Sequence, residues 1–89
     1  MIAYRVVAPG AEGEEWFDDA AAADAAAAAH LDVAFSAIES LRRRVIVDPV
    51  VVRHDGARWR SRQVWTVRSG EVSIRIFEML KIDEALYEH

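Results

Sequence analysis

Ile2, Tyr4 and Val6 alternate with Ala3, Arg5 and Val7 at the start of the chain, the two-residue period of a strand with one face turned inward. Pro9-Gly10-Ala11-Glu12-Gly13 supplies turn chemistry, and a short run from Glu14 to Phe17 completes a hairpin with a loose loop. The period then changes. Asp18 and Asp19 offer side-chain oxygens to the first free amides of a helix, and the alanines that follow have the highest intrinsic helix propensity, so a helix starts near Asp19. At 100° per residue, Leu31, Phe35, Ile38 and Val45 share a face with Ala20, Ala27 and Ala28, the stripe of a helix lying on a sheet. Its first half is smooth, so the helix backbone can approach the sheet closely. The helix is expected to end in Arg42-Arg43-Arg44, where cations complement the negative end of the dipole. A helix of about 24 residues would be roughly 36 Å long at 1.5 Å per residue, longer than a typical small sheet. This predicts a bend or break near His30 to Asp32.

The remainder reads as a three-stranded meander. Asp55-Gly56 is a type I′ hairpin signal between Val50-Val51-Val52 and the strand from Arg58, and Ser69-Gly70 makes a second such turn. The first turn pairs Val52 with Trp59 and Arg53 with Arg58; the second pairs Val67 with Val72, Trp65 with Ile74, and Arg62 with Phe77. One face then collects Val50, Val52, Trp59, Trp65, Val67, Val72, Ile74, Ile76 and Leu80, and should receive the helix. Asp48-Pro49 interrupts the first strand and places it at an edge or marks a bulge. The stretch from Ile82 to Tyr87 predicts one last helical turn. The expected architecture is α+β: a β-hairpin, a long or broken Ala-rich helix and a three-stranded β-meander, with the helix packed on one face of an antiparallel sheet, in a single domain over residues 1–89.

Composition narrows the class. With 53% hydrophobic residues the chain can build a core, but 89 residues bury only roughly 60–65% of the unfolded surface, so a homodimer is the default expectation. The absence of cysteine removes disulfides and thiolate metal sites and fits a reducing cytoplasm. No signal-peptide pattern is present, and the alanine run Ala20–Ala29, interrupted by Asp24, is too weakly hydrophobic for a span, so a soluble protein with no membrane partner is expected. The heavy use of arginine over lysine, together with the many alanines, is the usage of a GC-rich bacterial or phage genome.

Charge adds a polarity that a net value of −4 hides. Up to residue 40 the carboxylates face a single cation, Arg5, whereas residues 42–75 are rich in arginine against only Asp48, Asp55 and Glu71. Such asymmetry bears on association rather than fold. Alternation puts Arg53, Arg58, Arg60, Arg62, Arg68 and Arg75 on the sheet face opposite the helix, with Val64 and the exposed Phe77 and Met79 among them. Guanidinium forks suit phosphate or carboxylate, so this face fits nucleic acid or an acidic protein; the alternative is an ordinary solvated face. Apolar groups between arginines point to a covered face, most simply by a second copy. The acidic set Asp18, Asp19, Asp24, Asp32 and Glu39, preceded by Glu12, Glu14 and Glu15, either imitates phosphate spacing or forms a hydrated helix edge. Asp24 lies close to Leu31 and Phe35 on the wheel, and either escapes past the sheet edge or is partly buried with Arg42 or Arg5 in range.

Catalytic chemistry has little to work with. His30 and Asp32, two apart on a helix, point about 160° away from each other and make no ligand pair. His54-Asp55 belongs to a turn, and no cysteine nucleophile, phosphate-cradling glycine loop, HExxH motif or nucleophile elbow occurs. No enzyme activity, cofactor or metal is expected.

Tyr4-Arg5-Val6-Val7, the Trp16-Phe17 strand and the Asp18-Asp19-Ala20 start of the alanine run, in the order hairpin, helix, meander, resemble small phage-encoded anti-CRISPR proteins. The resemblance implies a non-enzymatic inhibitor that binds a Cas effector complex, blocking a DNA site with its carboxylates. The expected function is therefore an inhibitor-like protein-interaction module. The alternatives are a nucleic-acid-binding sheet using its arginines and a self-associating accessory subunit.

Overall fold

A computed structural model describes residues 1–10 and 13–83. Strand β1 (Ile2–Val7) is followed by β2 (Glu15–Phe17), helix α1 (Ala20–Leu31), a 3-10 turn (Phe35–Ala37) and helix α2 (Ile38–Leu41). Four strands complete the described residues: β3 (Arg42–Val45), β4 (Val51–His54), β5 (Ala57–Ser69) and β6 (Val72–Lys81). They form one antiparallel sheet in the order β2-β1-β6-β5-β3, with β4 also paired to β5. The α+β arrangement with a helix on one sheet face is as the sequence predicts. Ile82 and Asp83 are irregular, and the rest of the expected C-terminal turn lies outside the described residues.

Helix α1 begins where the carboxylate of Asp19 accepts the Ala22 amide at 2.7 Å. It stops because Asp32 adopts the left-handed conformation, φ 54. The Asp32 amide donates to the Ala29 carbonyl at 3.3 Å and the Val33 amide to that of Ala28 at 3.1 Å, the paired bonds of a Schellman motif. The chain then turns by 103° into the second helical segment, which is the expected break. The buried stripe is Ala23, Ala27, Ala28 and Leu31, joined by Ile38. The expected stripe is thus corrected: Ala20 is exposed, Phe35 is 54% exposed, and Val45 belongs to a strand. Arg42-Arg43-Arg44 is likewise a strand, not a helix end. Helix α2 lasts one turn, and the run Val45-Ile46-Val47 is β-branched, so the backbone is extended from Arg42 (φ −78, ψ 132) and pairs with Val64–Val67.

The first meander turn follows its sequence. Asp55 (φ 52) and Gly56 (φ 75) are both left-handed, as a type I′ turn requires, and Val52 pairs with Trp59 and Arg53 with Arg58. The second turn is corrected. Gly70 and Glu71 are its central residues, with positive φ only at Gly70, so Val67 pairs with Ile74, Trp65 with Ile76 and Val64 with Phe77. A shift of two residues leaves the faces unchanged. An irregularity in β5 does not. Ser61 pairs with Met79 and Gln63 with Glu78, so Arg62 is an extra residue and the alternation of β5 inverts there.

Two cores result. On the helix side Val6, Val67, Ile74 and Ile76 meet Ala23, Ala27, Ala28, Leu31 and Ile38, with Trp65 packed alongside. On the other side Ala3, Trp59, Val64, Phe77 and Met79 gather with Val7, Trp16, Val50 and Val52. Among the described residues no helix covers this second core; the sheet curls over it. Trp16 of β2 stacks on His54 of β4 at 3.9 Å between ring centroids, although the two strands lie at opposite edges. The Trp59 indole donates to the His54 carbonyl at 3.1 Å. The expected helix-facing set therefore loses Val50, Val52 and Trp59 to the concave side, Val72 is exposed at the turn, and Phe77 and Met79 are buried rather than exposed among arginines.

Ala27 has no exposed surface between α1 and the sheet, so Ala27→Leu should lower the unfolding free energy by about 1–3 kcal/mol through overpacking, read as a lower urea midpoint at unchanged slope.

Candidate interaction surfaces

Strand β5 has 13 residues and reaches about 43 Å at 3.3 Å per residue, whereas the 12 residues of α1 reach about 18 Å. The helix therefore covers only part of its sheet face. Beyond it, Val51, Arg60, Leu80 and Ile2 stand side by side across four strands, each paired to the next. Their apolar members are 54%, 42% and 38% exposed for Val51, Leu80 and Ile2. The next row out holds Arg53 directly opposite Arg58. On the inner side, Arg62 in the bulge approaches Glu78 at 3.7 Å.

The bulge decides which arginines assemble. Arg53, Arg58 and Arg60 share the helix-side face with Leu80 and Ile76, while Arg75 and Phe77 alternate to the concave face with Met79. The expected single surface carrying Arg53, Arg58, Arg60, Arg62, Arg68, Arg75 and Phe77 is thus two surfaces, on opposite sides. Sequence reasoning found the arginines of the uncovered end but missed Val51, Leu80 and Ile2. Leu80 was expected under the helix; the short length of α1, fixed by the left-handed stop at Asp32, is what leaves it open.

The acidic residues are dispersed over local duties. Asp19 caps α1 and Asp32 ends it, while Asp18 and Glu39 are exposed at separate places. Glu14 pairs with Arg5, whose guanidinium lies 5.1 Å from the Phe77 ring centre, and Glu15 contacts His30 at 2.5 Å, tying β2 to the last turn of α1. Glu12 lies outside the described residues.

Asp24 resolves as a partly buried carboxylate facing Arg42 at 3.4 Å. Arg42 in turn lies 5.5 Å from the Trp65 ring centre, and these groups line a cavity of about 210 Å³ with Tyr4, Ala20 and Ile76. Burial raises the Asp24 pKa above its ordinary 3.8, and the Arg42 charge offsets this only in part.

No known family model, curated protein or solved structure matches this chain. Among the described residues no single helix is long and apolar enough to cross a membrane.

A carboxyl whose pKa rises on folding holds its proton more tightly in the folded chain, so its contribution to stability is present below the unfolded value of 3.8 and is lost as pH climbs through the folded value. Asp24→Asn should abolish that decline. Urea unfolding of both proteins at about pH 3 and about pH 6 should show the difference moving in favour of the variant as pH rises.

Proposed function

We propose that this protein acts by binding another protein, through the uncovered end of its helix-side sheet face, and not by catalysis. The observation that carries the reading is the exposed apolar row Val51, Leu80 and Ile2 with the exposed Arg60 inside it and the exposed Arg53 in the row beside it. An exposed apolar row adds nothing to a free chain. It gains value against a partner that supplies carboxylates and apolar groups together.

Two alternatives fit this surface less well. Sheets that hold single-stranded nucleic acid present aromatic rings for base stacking, whereas Trp16, Trp59 and Phe77 are packed into the concave core. A second copy placed symmetrically on the same patch would bring arginines against arginines. An acidic protein surface is the better complement, and an inhibitor of the anti-CRISPR kind would use the patch in this way by occupying a site on its target.

Affinity capture from a bacterial lysate, run beside gel shifts with labelled DNA and RNA across a salt series, tests the reading. A protein should be retained at low salt, released as salt rises, and lost with Arg53→Glu combined with Arg60→Glu. Arg53→Thr alone should weaken capture less than the double charge reversal does, because it removes one cation without introducing a repulsive carboxylate. Salt-dependent retention of nucleic acid by the same arginines would replace the proposal with the nucleic-acid reading, and capture indifferent to both charge variants would end it.

A further inference from the structure

The concave face carries a second cationic cluster of different chemistry, at the end away from Trp59. Arg43 pairs with Thr66, Thr66 with Arg75, and Arg75 with Val7, so these four residues form one row across β3, β5, β6 and β1. In the next row Arg68 pairs with Ser73. Residues directly opposite on antiparallel strands share a face with Cβ atoms about 4.5–5.5 Å apart, and diagonal neighbours about 7–8 Å. Three arginines thus share one end of this face with two hydroxyl side chains.

The neighbouring charges leave this cluster positive. Arg5, on the same face one row inward, is paired with Glu14. Glu71 lies in the turn that follows, outside both rows. Backbone carbonyls hold two of the arginines: Arg43 donates through one Nη to the carbonyls of Ser40 and Arg42 at 2.8 and 2.9 Å, and Arg68 donates through Nε to that of Gly70 at 3.1 Å. Each guanidinium has five N–H donors, so most remain available. Apart from Val7 these two rows are polar. The composition differs from the arginine and apolar mixture at the other end of the molecule, and it asks for a small, multiply charged ligand with several acceptor oxygens.

We propose that Arg43, Thr66, Arg68, Ser73 and Arg75 bind a phosphate dianion, either free or as a phosphomonoester. A tetrahedral group with three or four free oxygens can take bidentate guanidinium bonds and hydroxyl bonds at once, whereas a diester offers one charge and two free oxygens. The site is independent of the protein-docking end, because the two lie on opposite faces of the sheet.

The test is amide and arginine Nε–Hε NMR of the labelled protein titrated with inorganic phosphate, glycerol phosphate and dimethyl phosphate, each against sodium chloride at matched ionic strength. Saturable shifts should appear at Thr66, Ser73, Arg68 and Arg75 with the two dianions, and at least tenfold weaker binding with the diester. Thr66→Val and Arg75→Gln should each weaken phosphate binding at least tenfold, while Arg60→Gln, on the other face, should leave it unchanged. Arg43→Gln, at an exposed edge position, is the second probe should Thr66→Val fail to fold. Inorganic phosphate and glycerol phosphate binding equally assigns the site to monoesters; a preference for inorganic phosphate assigns it to the free anion. Shifts reproduced by sodium chloride, or phosphate binding unaltered in the folded Arg75→Gln and Arg43→Gln variants, would overturn the proposal.

Discussion

Opposite Glu78, strand β5 places a residue more than its partner, and that extra residue, Arg62, reverses the direction of every side chain on one side of it relative to the regular pattern. Without the reversal Trp59 would lie on the helix side of the sheet, in line with Trp65 and Val67. With it, Trp59 joins Val64, Phe77 and Met79 on the concave face, and Arg58 and Arg60 take the helix side beyond the reach of α1. The entry of Trp59, Val50 and Val52 into the second core and the position of Arg53, Arg58 and Arg60 on the helix side follow from this one irregularity. The partner strand on the other flank accommodates it: β3 and β4 flank β5 on the same side, separated by the interruption around Asp48-Pro49, and the Val50 amide donates to the Ser61 hydroxyl at 2.7 Å beside the bulge.

The two halves of the sheet solve the problem of covering apolar surface in different ways. Against α1 the solution is proximity, since alanines let two backbones come together and the bulk comes from Leu31 and Ile38 and from the valines and isoleucines of the sheet. On the concave face it is curvature, with large rings spanning the gap; a Trp16 ring parallel to His54 within 3° shows how closely the opposite edges approach. A 12-residue helix could not shield both ends of a strand as long as β5. The uncovered end is therefore a geometric consequence of where Asp32 halts the helix.

Much of the local structure could be read from the residues because the determining interactions are themselves local. Asp19 before an alanine run specifies a helix start, and Asp55-Gly56 specifies both a turn and a register. The three arginines at positions 42–44 misled because a cationic last turn and a cationic edge strand look alike, and only pairing with Val64–Val67 separates them. The sequence does carry a mark of the two-sided stretch beside the bulge. Val64-Trp65, Ile76-Phe77 and Met79-Leu80 are adjacent apolar pairs, which a strand with one solvated face does not contain. They mark a stretch in which both faces need apolar side chains. Of the surface residues, Arg53, Arg58 and Arg60 are legible by alternation from the Asp55-Gly56 turn, while Arg75 and Phe77 lie apart from them because the alternation breaks at Arg62.

The position of β1 sets the order in which this sheet can be assembled. It lies between β2 and β6, with Ile2 beside Leu80 and the Lys81 amide donating to the Met1 carbonyl at 3.0 Å, so the first and the last of the described strands meet near the middle of the sheet. The β4-β5-β6 meander closes through turns of two residues and can form as soon as its own strands have emerged, whereas β1 waits through the synthesis of every intervening element until β6 has left the ribosome. In the interval the emerging N-terminal hairpin, with Tyr4, Trp16 and Phe17, has neither core to enter. The alanine helix beside it is the element that can form in the meantime, which makes the amino-terminal half a nascent segment of strong helical propensity and deferred strand pairing.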